Sequence, residues 1–291
     1  MVKKLSDLYL DTRKALMDTE DIATAGLITR DLLAKATGKS REEVLLNLDA
    51  YMDEDVCGQI NQDLEKIRSG MPFAYVLGEW EFYGLPLFVN ENVLIPRDDT
   101  VAVADLAIKK SIFLDTSPRI LDLCTGTGCI GLAIASRVND ARVTLADISK
   151  EALAVARRNI TINRLGSRVS CVQADALSAP PAFLGQFDLI VSNPPYITGK
   201  QMQELDKSVK DFEPHLALYG GEDGLEFYRS IAKNYRASLK PGGFLCFEFG
   251  MGQGDDVCAI LEENGYLILE RTRDYNDRER AVAAQIPREE E

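Results

Sequence analysis

Ile120-Leu121-Asp122-Leu123-Cys124-Thr125-Gly126-Thr127-Gly128-Cys129-Ile130-Gly131 runs from an apolar stretch into a glycine-rich turn and on into a helical pattern. Gly126, Gly128 and Gly131 satisfy G-x-G-x-x-G, and Asp147 ends the next apolar run, 21 residues after Gly126. Glycines in such a loop turn the chain tightly and let the backbone approach a ligand at a helix N-terminus, while the carboxylate can hold ribose hydroxyls. The pattern alone does not choose between NAD and S-adenosylmethionine, because both carry an adenosine ribose. A strand-to-helix turn with no ligand is the third reading.

Working outward, apolar runs recur at Val143–Ala146, Val169–Val172, Leu189–Val191, Phe244–Phe249 and Tyr266–Leu269. Helical patterns fall between several of them, at Gly128–Val138, Lys150–Asn163 and Leu225–Ser238. This alternation predicts an α/β fold, a mostly parallel sheet covered on both faces. Residues 1–70 read as a small helical bundle, with Leu5, Leu8, Tyr9 and Leu16 at helical spacing. Ser40-Arg41-Glu42-Glu43 has the form of a capping box ahead of Val44, Leu45 and Leu48. Residues 75–95 are rich in aromatic and β-branched types around Gly84 and Pro86, which predicts a β-hairpin linker. The division expected is a helical domain over 1–70, a linker over 71–98 and a catalytic domain over 99–291.

The 291 residues are 46% hydrophobic and 27% charged, a balance that excludes a disordered or collagen-like chain. No apolar stretch approaches the roughly 18 residues of a membrane helix, and Asp7 and Asp11 interrupt any signal-peptide core. Residues 1–80 hold 10 basic and 15 acidic residues and residues 81–291 hold 23 and 31, so the net charge of −13 is spread along the chain. Binding to duplex phosphates needs a basic cluster, and none is seen. The six cysteines form no Cys-x-x-Cys pair and the single histidine, His215, stands alone, so neither a metal site nor a disulfide framework is expected. Reduced, mostly buried thiols in the cytosol are the plain reading.

Asp175 and Ala176 follow the third strand, where an acid is placed to accept an N–H from adenine or to act as a turn cap. The fourth strand decides between chemistries. Phe187–Ser192 runs straight into Asn193-Pro194-Pro195-Tyr196. Two prolines stop the ladder and fix the backbone, so the Asn193 side chain and the Pro194 carbonyl project as two neighbouring acceptors. A planar amino group on a π-system has two N–H donors and a delocalised lone pair. Accepting both N–H bonds orients that nitrogen and favours its pyramidal form, so that the lone pair faces an electrophilic methyl carbon. Tyr196 is placed to pack on the planar face.

Asp122–Gly128 with Asn193-Pro194-Pro195-Tyr196 resembles the amino-group methyltransferases that use S-adenosylmethionine. Pro72–Val89 (PFAYVLGEWEFYGLPLFV), Val93–Thr100 (VLIPRDDT) and Glu213–Leu218 (EPHLAL), together with the helical N-terminal region, narrow the resemblance to the release-factor glutamine N5-methyltransferases, the HemK/PrmC family. The resemblance covers nearly the whole chain. It implies a Rossmann-like class I methyltransferase sheet with an antiparallel C-terminal hairpin, preceded by the helical domain and the linker. It implies that Cys124, Thr125, Gly126, Thr127 and Gly128 line the methionine part of S-adenosylmethionine. Asp147 would bind the ribose, and Asp175 and Ala176 would sit against adenine. Asn193 and Pro194 would hold the substrate amide beside Pro195 and Tyr196. The implied substrate is the glutamine of the Gly-Gly-Gln loop of bacterial peptide-chain release factors, docked with help from the helical domain. A cytoplasmic monomer with no direct nucleic-acid or membrane contact is expected.

The chain departs from the family pattern in three places. Cys124 stands where glycine is common, the usual Arg-Pro-Glu-Thr-Glu is here Arg97-Asp98-Asp99-Thr100-Val101, which keeps Arg97 and Thr100 but loses the last glutamate, and Ala176 replaces an aromatic found in some relatives. The alternatives are an adenine or guanine methyltransferase, which should carry a basic groove, a ribosomal-protein glutamine methyltransferase, and an NAD dehydrogenase. His215 reads as a loop residue, Asp98 and Asp99 as a solvated turn, and Arg271, Arg273, Arg278 and Arg280 as a salt-bridged surface. Trp80 and Phe82 read as packing the linker.

Overall fold

A computed structural model describes residues 2–114 and 117–288. The chain divides into two compact units. One comprises the residues up to Gly78 together with Lys207–Phe212, and the other comprises Glu79–Asp206 and Glu213 onward.

The first unit is helical. Its helices are α1 (Leu5–Leu16), α2 (Ile22–Thr37), α3 (Arg41–Leu46), α4 (Glu54–Arg68) and α5 (Phe73–Leu77). Asp21 caps α2 by accepting from the Ala23 and Thr24 amides, and the Ser40/Glu43 capping box opens α3 as its sequence predicts. Leu5, Leu32, Leu33, Val44, Ile60 and Val76 close one apolar core. The predicted linker is therefore shorter than 71–98. Residues 73–77 form a helix whose Val76 belongs to this core, and the hairpin is confined to β-strands Glu79–Phe82 and Leu85–Phe88. Aromatic and β-branched content suggested strand there, but tertiary burial overrides that weak preference. Phe212 also belongs to this unit, 3.7 Å from where a Cβ on Gly70 would lie.

The second unit is a seven-stranded sheet. With the two-residue pair β1 (Lys3–Lys4) and β2 (Tyr51–Met52) and the hairpin strands β3 and β4 counted first, its strands are β5 (Arg119–Leu123), β6 (Arg142–Asp147), β7 (Val169–Gln173), β8 (Phe187–Ser192), β9 (Leu239–Glu248), β10 (Leu267–Arg273) and β11 (Glu279–Gln285). Their order is β10-β11-β9-β8-β5-β6-β7, with β10 and β11 antiparallel and the rest parallel. The chain winds outward in both directions from β5, and in such sheets the ligand crevice opens at the carboxyl ends of the strands at that switch point.

Burial follows the strand period of two. Ile120, Leu189 and Val191 face one apolar layer, packed by α6 (Val101–Ile112), α7 (Cys129–Arg137) and α8 (Lys150–Ile162). Leu121, Leu123 and Ile190 face the other, packed by helices Glu226–Asn234 and Gly254–Glu263. Between β8 and the first of those helices the chain makes an excursion, closed at its neck by Ile197 N–H to Leu218 O and Gly220 N–H to Ile197 O. The helical pattern read over 225–238 ends early, at Asn234, and finishes as a 3-10 turn. Among the described residues no helix is long and apolar enough to cross a membrane.

Candidate functional site

The glycine loop is shaped by what lies beneath it. Gly131 is helical, yet a Cβ there would collide with Leu145 and come within 3.0 Å of Asp122 Oδ2 and 3.1 Å of Val143. Gly128 has φ 86°, where only glycine is unstrained, and also lies on Leu145. The two glycines let α7 descend onto β6. Asp122, buried under the loop, accepts from Thr125 Oγ1 at 2.6 Å and Gly131 N–H at 2.9 Å. Burial pushes its carboxyl up to about 7, against the pull of those two donors. Cys124 takes φ 60°, a left-handed conformation that glycine adopts freely, so its side chain is carried with backbone strain. Burial raises its thiol pKa, which keeps it protonated.

Asp147 ends β6 facing this loop. Its Oδ2 accepts from Gly126 N–H and its Oδ1 from Ser149 N–H, both at 2.9 Å. Each carboxylate oxygen has a second lone-pair site left for a ligand. Burial raises this pKa as well, opposed by the amide bonds. Asp175 caps its own turn, accepting from Leu177 N–H and Ser178 Oγ. Asn159 acts as a tie: its side chain donates to Phe88 O and Thr127 O and accepts from Phe88 N–H. It therefore anchors the hairpin to the glycine loop.

A cavity of about 350 Å³ opens at these strand ends. Cys124, Thr125, Gly126, Thr127, Asp147, Asp175, Ala176, Asn193 and Pro195 line it. Gly128, Pro194 and Tyr196 lie outside the lining: Gly128 N–H turns back to Thr125 O, and Tyr196 packs on the second apolar layer. Tyr196 is only partly buried there. Ile148, Leu177, Phe227, Pro96, Pro214 and Leu216 line the cavity as well. Phe227 brings an aromatic ring to the lining from the helix whose Ser230 hydroxyl donates to the Ala176 carbonyl. Nothing in its own neighbourhood marks it, because it sits in an ordinary amphipathic helix.

Asn193 Nδ2 donates to Thr100 Oγ1 at 3.4 Å, which assigns the amide nitrogen to that side and leaves Oδ1 for the other. Arg97 is paired with the buried Glu213, tying the VLIPRDDT stretch to the EPHLAL stretch. Burial raises the Glu213 carboxyl, and Arg97 opposes the rise. Asp99 is not a solvated turn residue, since it bonds Arg280 at 2.7 Å. Arg280 is itself buried between Asp99 and Asp274, whereas Arg271 and Arg273 make the expected surface pairs. His215 is exposed against Tyr219 and does not line the cavity. Trp80 donates to Pro96 O and Phe82 is buried in the first layer. The six cysteines are free.

Comparison with known proteins follows this geometry. Residues 7–78 match the PrmC N-terminal domain and residues 106–216 the Methyltransferase small domain. A release factor glutamine methyltransferase of Clostridium acetobutylicum is 37% identical over 281 residues, covering 97% of this chain and 98% of the relative. The proteins of the same name from Chlorobaculum tepidum and Geobacter sulfurreducens are 42% and 33% identical, over 82% and 95% of this chain and 85% and 95% of theirs. Two matched domains, in the order and at the boundary the fold shows, and full-length identity of this degree make the chain a member of the release factor glutamine methyltransferase family.

Proposed function

We propose that this protein transfers a methyl group from S-adenosylmethionine to the side-chain amide nitrogen, N5, of the glutamine in the Gly-Gly-Gln loop of peptide-chain release factors. The residues present suit that cofactor. Asp147 keeps an acceptor site on each oxygen for ribose hydroxyls, Asp175 and Ala176 line the cavity and would take adenine, and residues 124–127 would line the methionine end. The bound cofactor supplies an electrophilic methyl carbon on a cationic sulfonium.

The chain's own part is positioning. An amide nitrogen is a poor nucleophile because its lone pair is shared with the carbonyl. Asn193 Oδ1, directed away from Thr100, and the Pro194 carbonyl accept the two N–H bonds of the substrate and turn that lone pair toward the methyl carbon. As the N–C bond forms, the methyl carbon's bond to sulfur would break to leave a neutral thioether, and the methylated amide passes one proton to water, so no side-chain base is required. The orientation of the Asn193 amide carries this reading. The name shared by relatives of matching length supports a release factor as substrate. It also supports a cytoplasmic setting. The even negative charge disfavours a nucleic-acid acceptor, and we take the active species to be a monomer.

The test is transfer of labelled methyl to purified release factor, with mass spectrometry of the Gly-Gly-Gln peptide. One methyl group on that glutamine is expected, with Asn193→Ala lowering kcat about 10²–10³-fold. No transfer, or transfer unchanged by the substitution, refutes the proposal.

A further inference from the structure

A buried carboxyl stands directly behind the Asn193 amide. The parallel register pairs Ser192 with Phe247, so the next residue of each chain, Asn193 and Glu248, emerge side by side at the ends of β8 and β9. Glu248 is 2% exposed and lies outside the cavity lining, whereas Thr100 and Asn193 are part of it. The Thr100 hydroxyl and the Asn193 amide both bear on the Glu248 carboxyl and favour its charged form. Its Oε2 has no hydrogen-bond partner among the described residues. A charged carboxyl buried so incompletely satisfied is costly, and such groups persist where they do something besides pack.

A threonine hydroxyl has one proton. While Glu248 is ionised, that proton is held toward the carboxylate and the oxygen lone pairs of Thr100 are turned to Asn193 Nδ2. The amide then has one satisfied orientation, with Oδ1 toward the cavity. When Glu248 is protonated it becomes a donor itself. The Thr100 proton is freed, and the reversed amide, with Oδ1 on Thr100 and the NH2 group toward the cavity, is equally satisfied. That reversed amide presents donors to a substrate that also brings donors.

We infer that Glu248 is a positioning residue which, when ionised and acting on the amide both directly and through Thr100, holds the Asn193 amide oxygen toward the substrate, and that its protonation releases this hold and slows methyl transfer. The inference rests on the glutamine reading given above. Burial pushes the Glu248 carboxyl up to about 7. The groups facing it are Arg280, which favours the charged form, Asp99, which disfavours it, and Tyr196, Tyr228 and Cys129, whose own values burial raises far enough to leave them neutral in this range. Transfer therefore falls as pH drops through about 7.

The experiment compares wild type, Glu248→Gln and Thr100→Val in the release-factor assay from pH 6 to 8.5, with S-adenosylmethionine affinity measured by calorimetry. Wild-type kcat is expected to fall on the acid side. Glu248→Gln is expected to show kcat lower by about 10–100-fold at pH 8, with the acid inflection gone and cofactor affinity unchanged, and Thr100→Val a smaller loss of kcat. Glu248→Asp restores part of the rate. Wild-type kcat in either variant, or the same inflection surviving in Glu248→Gln, overturns the inference. Should Glu248→Gln fail to fold, Thr100→Val decides alone. The Asn193 side-chain amide resonances, followed by NMR without substrate, separate this inference from the glutamine reading. They should move between pH 6 and 8 in the wild type and stay fixed in Glu248→Gln. A wild type that methylates no release factor sinks the glutamine reading only, and a stationary wild-type Asn193 signal sinks this one.

Discussion

Replacing Gly131 by alanine adds one methyl group at the place where α7 meets the sheet. The residue is helical, so no backbone strain arises, and helix propensity alone would favour alanine by about 1 kcal/mol. Space argues the other way. The new Cβ would overlap Leu145 and lie 3.0 Å from Asp122 Oδ2 and 3.1 Å from Val143 Cγ1. Leu145 is 0% exposed and already rests against Gly128, so it has no free direction in which to turn. The helix must lift, and lifting stretches the 2.9 Å bond from Gly131 N–H to Asp122. Overpacking of this kind costs about 1–3 kcal/mol, and weakening a bond to a carboxyl adds about 1 kcal/mol. Net destabilisation is therefore about 1–3 kcal/mol after the propensity gain, seen as a lower urea midpoint at unchanged m and a Tm lower by several degrees. Gly166→Ala is the control, because a Cβ there meets only Ile160 at an ordinary 3.8 Å and should change stability by less than about 0.5 kcal/mol. A Gly131→Ala protein as stable as the wild type would refute the packing argument.

The Asp122 carboxyl keeps its proton up to about 7 in the folded chain but only to its ordinary value of 3.8 when unfolded. The native state then binds the extra proton between those limits, so its stability falls as pH rises from about 4 to about 7. Asp122→Asn should remove about 1.4 kcal/mol per pH unit from that slope in urea titrations at pH 5 to 6.5, and an unaltered slope contradicts the assignment. Asp147→Ala deletes the acceptors of the Gly126 and Ser149 amides together with those left for ribose. It should weaken S-adenosylmethionine binding at least about tenfold by calorimetry; wild-type affinity would show that the ribose lies elsewhere.

Much of the sheet could be read from the sequence because its central strands β5, β6 and β8 are largely buried and therefore stand out as apolar runs. The glycine loop, Asp147 and Asn193 were visible for the same reason: they punctuate those runs at their carboxyl ends. What was hidden depends on packing between distant segments. Residues 73–77 carry strand-like side chains but are helical because Val76 completes a helical core. Glu248 is a single carboxylate inside an aromatic run, and only the register of β8 against β9 brings it to Asn193. Thr100 ends the VLIPRDDT stretch, and nothing in that stretch shows the amide it receives. The packing of Tyr196 against the second apolar layer is likewise not visible in its motif.

The helical unit is assembled from two separated stretches of chain, the second of them only Lys207–Phe212. During synthesis the first stretch emerges early, but its last turn is not made until residue 212 has left the ribosome. At about 5–20 residues per second, that gap of some 130 residues takes on the order of ten seconds. By then β5 to β8 have all been delivered. The N-terminal unit is thus begun first and finished late, and cutting the gene at residue 78 would not yield two self-sufficient pieces. One fragment would lack its final turn, and the other would carry that turn with nothing of its own unit to fold onto.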